Sequence, residues 1–318
     1  MDRKGGDRLG GVKDRTKSTR RQAKITPKRT TLLQKLAYIA RPFVLYMLVK
    51  TAAMFVLAIA VLALPIAGIT VWVEEHARQL SAAVNGAASL IAVSFLLKDF
   101  LIEVSTDGEI DIDQSAPVQL VSFVKTGFLG ERTARKAAGL ALCVLLGITA
   151  ALALNIGIEL LSQAMSAAGN PVLDSEKYET VETIQYSVPI WLGIVLYGIV
   201  SPTVEEMVFR GVIYNRIKKF YSVPRAVVAS ALLFGIFHGN LPQFLYGTAM
   251  GILMALCYEC SGCFAAPVLM HMAVNGFVFL MSQSVAWGVL VTPVWGALFT
   301  VLSAGVFWAY RKNCRGDH

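Results

Sequence analysis

The sequence predicts an all-α protein: a polytopic bundle of about eight membrane-crossing helices with a short cytoplasmic hairpin segment. Three observations carry this. Of 318 residues, 55% are hydrophobic and only 16% charged, against roughly 25% charged in ordinary soluble domains. Apolar stretches recur at lengths near the ~20 residues of helix that a bilayer requires. Lysines and arginines collect in alternate connections between those stretches, the pattern that fixes orientation in a membrane.

Residues 1–42 read as a disordered basic cytoplasmic tail. Positions 1–41 hold thirteen Lys or Arg against Asp2, Asp7 and Asp14, so most of the formal net charge of +8 lies there. Such a tail directly before an apolar span is expected to contact anionic lipid; no nucleic-acid partner is expected. The first apolar run begins after residue 40, too late for a cleavable signal.

The membrane domain is expected to span 43–310, with apolar runs near 43–69, 80–97, 137–164, 188–209, 225–240, 243–260, 264–283 and 288–310, and a short basic tail at 311–318. The second and fifth runs are the weakest. The tail, the 98–136 segment, the 216–225 turn (Arg216, Lys218, Lys219, Arg225) and the end (Arg311, Lys312, Arg315) fall on one side if there are eight spans, which places both termini in the cytoplasm. A bacterial cytoplasmic membrane is the expected location.

Between spans, "LIEVSTDGEIDI" alternates on either side of Asp107-Gly108 and predicts a short hairpin. The five cysteines form no secreted disulfide pattern. "CYECSGC" has metal-site spacing but lacks a fourth ligand close in sequence, so its cysteines read as thiols at a cytoplasmic helix end.

The polar residues inside the apolar runs carry the functional signal, because an ionisable group at membrane depth costs ~2.5–3.5 kcal/mol and is either compensated or kept for a task. "SPTVEEMVFRG" places Glu205, Glu206 and Arg210 on one helix. Glu206 lies sixteen residues before Ser222 and His238 sixteen after it, so an antiparallel hairpin sets both about 24 Å from the turn at ~1.5 Å per residue. The i,i+4 relation pairs Glu206 with Arg210 and leaves Glu205 freer to face a site. His271 and Asn275, also i,i+4, share one face of another helix. Pro202 removes a helical hydrogen bond and predicts a kink or a restart of the helix near Ser201. The bland alternative is that these groups only hold helices together.

At these residues the sequence resembles the CPBP family of intramembrane proteases, which includes CAAX prenyl endopeptidases and bacterial proteins linked to bacteriocin self-immunity. Its EExxxR, FxxxH and HxxxN motifs stand in order as Glu205, Glu206 and Arg210; Phe234 and His238; His271 and Asn275. The resemblance covers roughly 185–285. It implies a helical bundle around a membrane-embedded cavity open to the cytoplasm, and an endopeptidase acting on a peptide or membrane-protein substrate. Glu205 would be the general base that activates water, His238 would help to hold that water, and His271 and Asn275 would donate hydrogen bonds to the oxyanion. Glu206 and Arg210 would orient and charge-balance the site, and Phe234 would pack the cavity wall.

No cofactor is favoured. Zinc is the alternative, with Glu205, His238 and His271 as ligands and an open fourth position, although no HExxH signature occurs. The rival functions are a non-catalytic peptide-binding module of immunity or scaffold type and a proton-coupled transporter; no repeated half supports the latter.

Overall fold

The computed structural model describes residues 31–64, 68–104, 134–173, 183–284 and 286–315. Among these residues every regular element is helical.

Thr31 and Gln34 cap the first helix reciprocally: the Thr31 N–H donates to Gln34 Oε1 at 2.9 Å and the Gln34 N–H to Thr31 Oγ1 at 3.3 Å. This capping box starts α1 (Leu32–Leu62) about ten residues before the tail boundary expected at 42. Helices α2 (Ile69–Glu75) and α3 (Ala77–Ser94) follow. Apart from Val93, the buried face of α3 is made of small residues, Ala82, Gly86, Ala88, Ser89 and Ala92, which let α1 and the 190–218 helix approach closely, as in membrane helix pairs. Helix α4 (Leu97–Val104) bends by 61° from α3. Leu101–Val104, expected as the first strand of a hairpin, is therefore helical: Phe100, Leu101 and Val104 turn a common buried face to Val212, Phe264 and Val268, and that packing outweighs the strand-like alternation. The rest of the expected hairpin lies outside the described residues.

Helix α5 (Ala134–Ala167) crosses next. Helix α6 (Ile190–Lys218) holds the first motif, α7 (Val223–His238) the second, and α8 (Leu241–Ser261) links to α9 (Ala265–Ser282), which holds the third. A short α10 (Ala286–Leu290) and α11 (Pro293–Arg315) complete the chain. α11 extends into the 311–318 segment expected as a tail, with Arg315 its last helical residue.

The described residues of all eight expected runs are mostly helical. Among the described residues six helices, rather than the eight spans expected, are long and apolar enough to cross a membrane, and the bent pair α3–α4 makes a seventh if taken as one span. The sixteen residues of α7 reach only about 24 Å, short of the ~30 Å hydrocarbon core. The two weakest runs in the sequence are thus the bent and the short one. Large apolar side chains such as Phe55, Ile59, Val301 and Trp308 are exposed, the surface that lipid would cover.

The basic segments gather at one end of the bundle. Arg216 pairs with Asp99 at 3.0 Å and Glu103 at 3.2 Å, Lys219 pairs with Glu103 at 2.6 Å, and Tyr38 Oη donates to Glu103 at 2.9 Å. Lys218 pairs with Glu259. The same end holds one correction: Cys260, expected as a free thiol, is bonded to Cys314 with Cα atoms 5.7 Å apart. The 54-residue separation hid the pairing from local spacing. Cys143, Cys257 and Cys263 are free and buried.

Candidate active site

Helix α6 is not uniform. Ile194–Val200 and Met207–Tyr214 are π-helical and flank an α-helical Ser201–Glu206. Such widened turns are often found at functional sites. Val200, Ser201 and Met207 all keep right-handed helical angles, so the chain neither kinks sharply nor restarts at Pro202 as expected; it widens instead. The π register supplies the reason. Ser201 donates its N–H to Leu196, five residues back. The next bond in that register would run from residue 202 to Tyr197, and Pro202 has no N–H to give. The orphaned Tyr197 carbonyl is taken by Asn275, whose Nδ2 donates to it at 3.3 Å.

Glu206 and Arg210 lie fully buried and joined, with Arg210 Nη1 donating to Glu206 Oε1 at 2.8 Å. The same Glu206 oxygen is 2.8 Å from His271 Nδ1. Arg210 Nη2 donates to the Gly251 carbonyl at 3.2 Å, and its guanidinium lies 4.5 Å from the Phe234 ring centroid. A Cβ on Gly251 would sit 3.1 Å from that nitrogen and 3.1 Å from Ala231, so the missing side chain is what admits the arginine. A buried carboxylate and guanidinium are tolerable only when paired and hydrogen-bonded in this way.

Glu205 points elsewhere. Ser201 Oγ donates to its Oε1 at 2.6 Å, and Oε2 stands 3.8 Å from His271 Nε2. The two adjacent glutamates thus approach opposite nitrogens of one imidazole, Glu206 from behind and Glu205 from the cavity. The Phe209 and Phe234 rings meet at 5.1 Å, in keeping with the hairpin register about Ser222. His238 places Nδ1 2.8 Å from the Phe234 carbonyl, so Nδ1 is the donor in that bond. Phe234 contacts both imidazoles edge-on, at 4.9 Å for His238 and 5.7 Å for His271. It forms the septum between the cavity and the buried arginine.

A cavity of about 490 Å³ is lined by Glu205, His238, His271, Asn275, Phe234 and Ser201 among others, a size typical of small-molecule and peptide sites. Six of the seven expected residues touch either this cavity or the network behind it through side-chain polar atoms, and Phe234 joins them by its ring. Reasoning from sequence missed three contributors: Ser201, Gly251 and Lys50. Ser201 is i−4 to Glu205, a spacing that could have flagged it. Lys50 is an isolated cation in an apolar run and also lines the cavity.

Among the described residues no group of three or more His, Cys, Asp or Glu side chains stands together as a ready metal-ligand set, while His271, with Nδ1 on Glu206, keeps Nε2 toward Glu205.

Residues 187–277 match the family model described as Type II CAAX prenyl endopeptidase Rce1-like. YdiL of Bacillus subtilis (strain 168), named as a candidate membrane peptidase, is 32% identical over 108 residues, covering 34% of this chain and 43% of that protein. The membrane-embedded CAAX protease MroQ of Staphylococcus aureus (strain USA300) is 31% identical over 115 residues, 33% of this chain and 44% of that protein. The chain spans less than half the length of these relatives. No solved structure matches it significantly. The resemblance read from the three motifs agrees with this match: residues 187–277 are similar to the Rce1-like CAAX prenyl endopeptidase model.

Proposed function

From this Rce1-like segment and the cavity it builds, we propose that the chain is an intramembrane endopeptidase that hydrolyses a peptide bond with a water activated by Glu205. One observation supports this most: Glu205 is the carboxylate that lines the cavity, held by Ser201 and free of Arg210.

A water between Glu205 Oε2 and Nε2 of His238 gives its proton to the carboxylate as its oxygen attacks the scissile carbonyl. General-base help of this kind contributes about 10²–10⁴-fold. The carbonyl oxygen becomes an oxyanion, which Asn275 and His271 receive. Asn275 Nδ2 carries two hydrogens; one serves Tyr197 and the other remains. For His271 to donate from Nε2, with Nδ1 already bonded to Glu206, the ring must be an imidazolium. Its charge and that of Arg210 then balance Glu205 and Glu206. Fixed donors in a site poor in water stabilise such an intermediate strongly. Collapse of the tetrahedral species returns the proton from Glu205 to the leaving amine.

In this reading no step passes through zinc. Both termini face the cytoplasm of a bacterial cell, the basic tail contacts anionic lipid, and substrate reaches the cavity from that face or from the bilayer. Mass-spectrometric mapping of new peptide termini in cells carrying wild-type or Glu205→Gln protein tests it: termini present only with the wild type are expected, and identical sets of termini would refute it.

A further inference from the structure

Helix α8 turns one face to the cavity through Gln243, Tyr246, Gly247, Met250 and Met254, the i, i+3, i+4, i+7 spacing of a single helical stripe. Met250 and Met254 are buried and apolar, so the deep end of this wall has no donor for a substrate. Tyr246 commits its hydroxyl to Asn155. Gln243, in the first turn, differs from both, because hydrogen bonds that begin on a backbone group settle which way its carboxamide faces.

A backbone N–H can only donate. The Gln243 N–H lies 2.9 Å from the Asn240 carboxamide, so the Asn240 atom it meets is Oδ1. The other Asn240 atom is then Nδ2, which is 2.6 Å from the Gln243 side chain. That group also only donates, so the Gln243 atom it meets is Oε1. Nε2, with two hydrogens, is thus the end of Gln243 that takes no partner among the described residues. Capping of α8 needs only the bond to Asn240 Oδ1, so the Gln243 side chain is not required to start the helix. Asn240 is itself 9% exposed. Gly239, at φ 72°, makes the sharp turn that joins this pair to His238.

The same wall approaches His238 at Gly247, where a Cβ would lie 3.4 Å from the imidazole Nδ1. Gln243 precedes Gly247 by one helical turn, ~5–6 Å, which is less than two residues of extended chain at ~3.3 Å each. We propose that Gln243 binds the substrate peptide by donating from Nε2 to a backbone carbonyl within about two residues of the bond that is cut, with Asn240 as its positioning residue. This rests on the endopeptidase reading and deepens it. The donor is neutral and so is its acceptor, and every residue of a peptide carries one. The contact therefore sets how deep the chain lies in the cavity without selecting a side chain.

The test uses the full chain in phosphatidylcholine nanodiscs and a pool of N-blocked octapeptide amides. One cleaved member is remade with each amide other than the scissile one replaced in turn by an E-alkene, which lacks the carbonyl. In the wild type, one alkene within two residues of the cut is expected to raise KM about tenfold, the size of one lost hydrogen bond that leaves its donor unpaired, with kcat nearly unchanged. Gln243→Met raises KM for the all-amide peptide by the same factor and makes that alkene cost nothing further. Asn240→Asp keeps the cap but presents an acceptor to the glutamine, so the carboxamide turns over and Oε1 faces the cavity; it is expected to match Gln243→Met, and the double variant to be no worse than either. Alkene penalties that are the same in wild type and both variants would overturn the proposal. Should Gln243→Met not fold, Asn240→Asp decides by the same ratio. If the wild type cleaves no member of the pool, the endopeptidase reading fails, and capture of the pool on immobilised nanodiscs, read by mass spectrometry, decides for Gln243. Capture about tenfold weaker in Gln243→Met and Asn240→Asp than in the wild type is expected; equal capture by all three, or none by any, would overturn it.

Discussion

His271 Nδ1 sits 2.8 Å from Glu206 Oε1, and this contact sets which imidazole nitrogen faces the cavity. The two adjacent glutamates thereby divide their tasks, one structural and one chemical. Glu206 is fully buried with Arg210, so Glu206→Gln leaves a buried guanidinium uncompensated and should cost about 3–5 kcal/mol of stability. Glu205→Gln keeps the acceptor for Ser201 and should cost less than about 1 kcal/mol. Thermal unfolding in matched detergent compares the two; equal losses would remove the division of labour.

Asn275 closes the gap that Pro202 leaves at the Tyr197 carbonyl. Asn275→Ala orphans that carbonyl and should cost about 1–3 kcal/mol. Adding Pro202→Ala returns an N–H in the π register, so the double variant should recover part of the stability while staying poorly active. A double-mutant cycle of unfolding and peptide cleavage measures both; strictly additive stability losses would contradict the pairing.

Gly251 makes room for Arg210, its absent Cβ leaving a nitrogen 3.1 Å from where that atom would stand. Gly251→Ala overfills a packed site and should destabilise by about 1–3 kcal/mol, with a fall in activity as Glu206 and His271 shift. A variant with unaltered stability and turnover would show that the close approach is unimportant.

Much of the site was legible because its parts obey local helical rules. The i,i+4 spacing gave the Glu206–Arg210 pair, and the hairpin arithmetic about Ser222 agrees with Phe209 meeting Phe234. What escaped depended on contacts remote in sequence or on a register no local pattern announces. Lys50 lies about 150 residues before the first motif, so only proximity in space joins it to Glu205. The Tyr197 carbonyl that Pro202 cannot serve is met by Asn275 of α9, a contact across the fold. Leu101–Val104 alternated like a strand but packs as a helix on Phe264 and Val268, and Cys260 found Cys314 only through the packing of α8 on α11.

Single-turnover hydrolysis of a cleaved peptide by the purified chain in nanodiscs tests the central claim most directly. Glu205→Gln is expected to lower the rate about 10²–10⁴-fold while peptide binding and thermal midpoint stay near those of the wild type. Hydrolysis at the wild-type rate by Glu205→Gln, folded and binding the same peptide, would contradict the account.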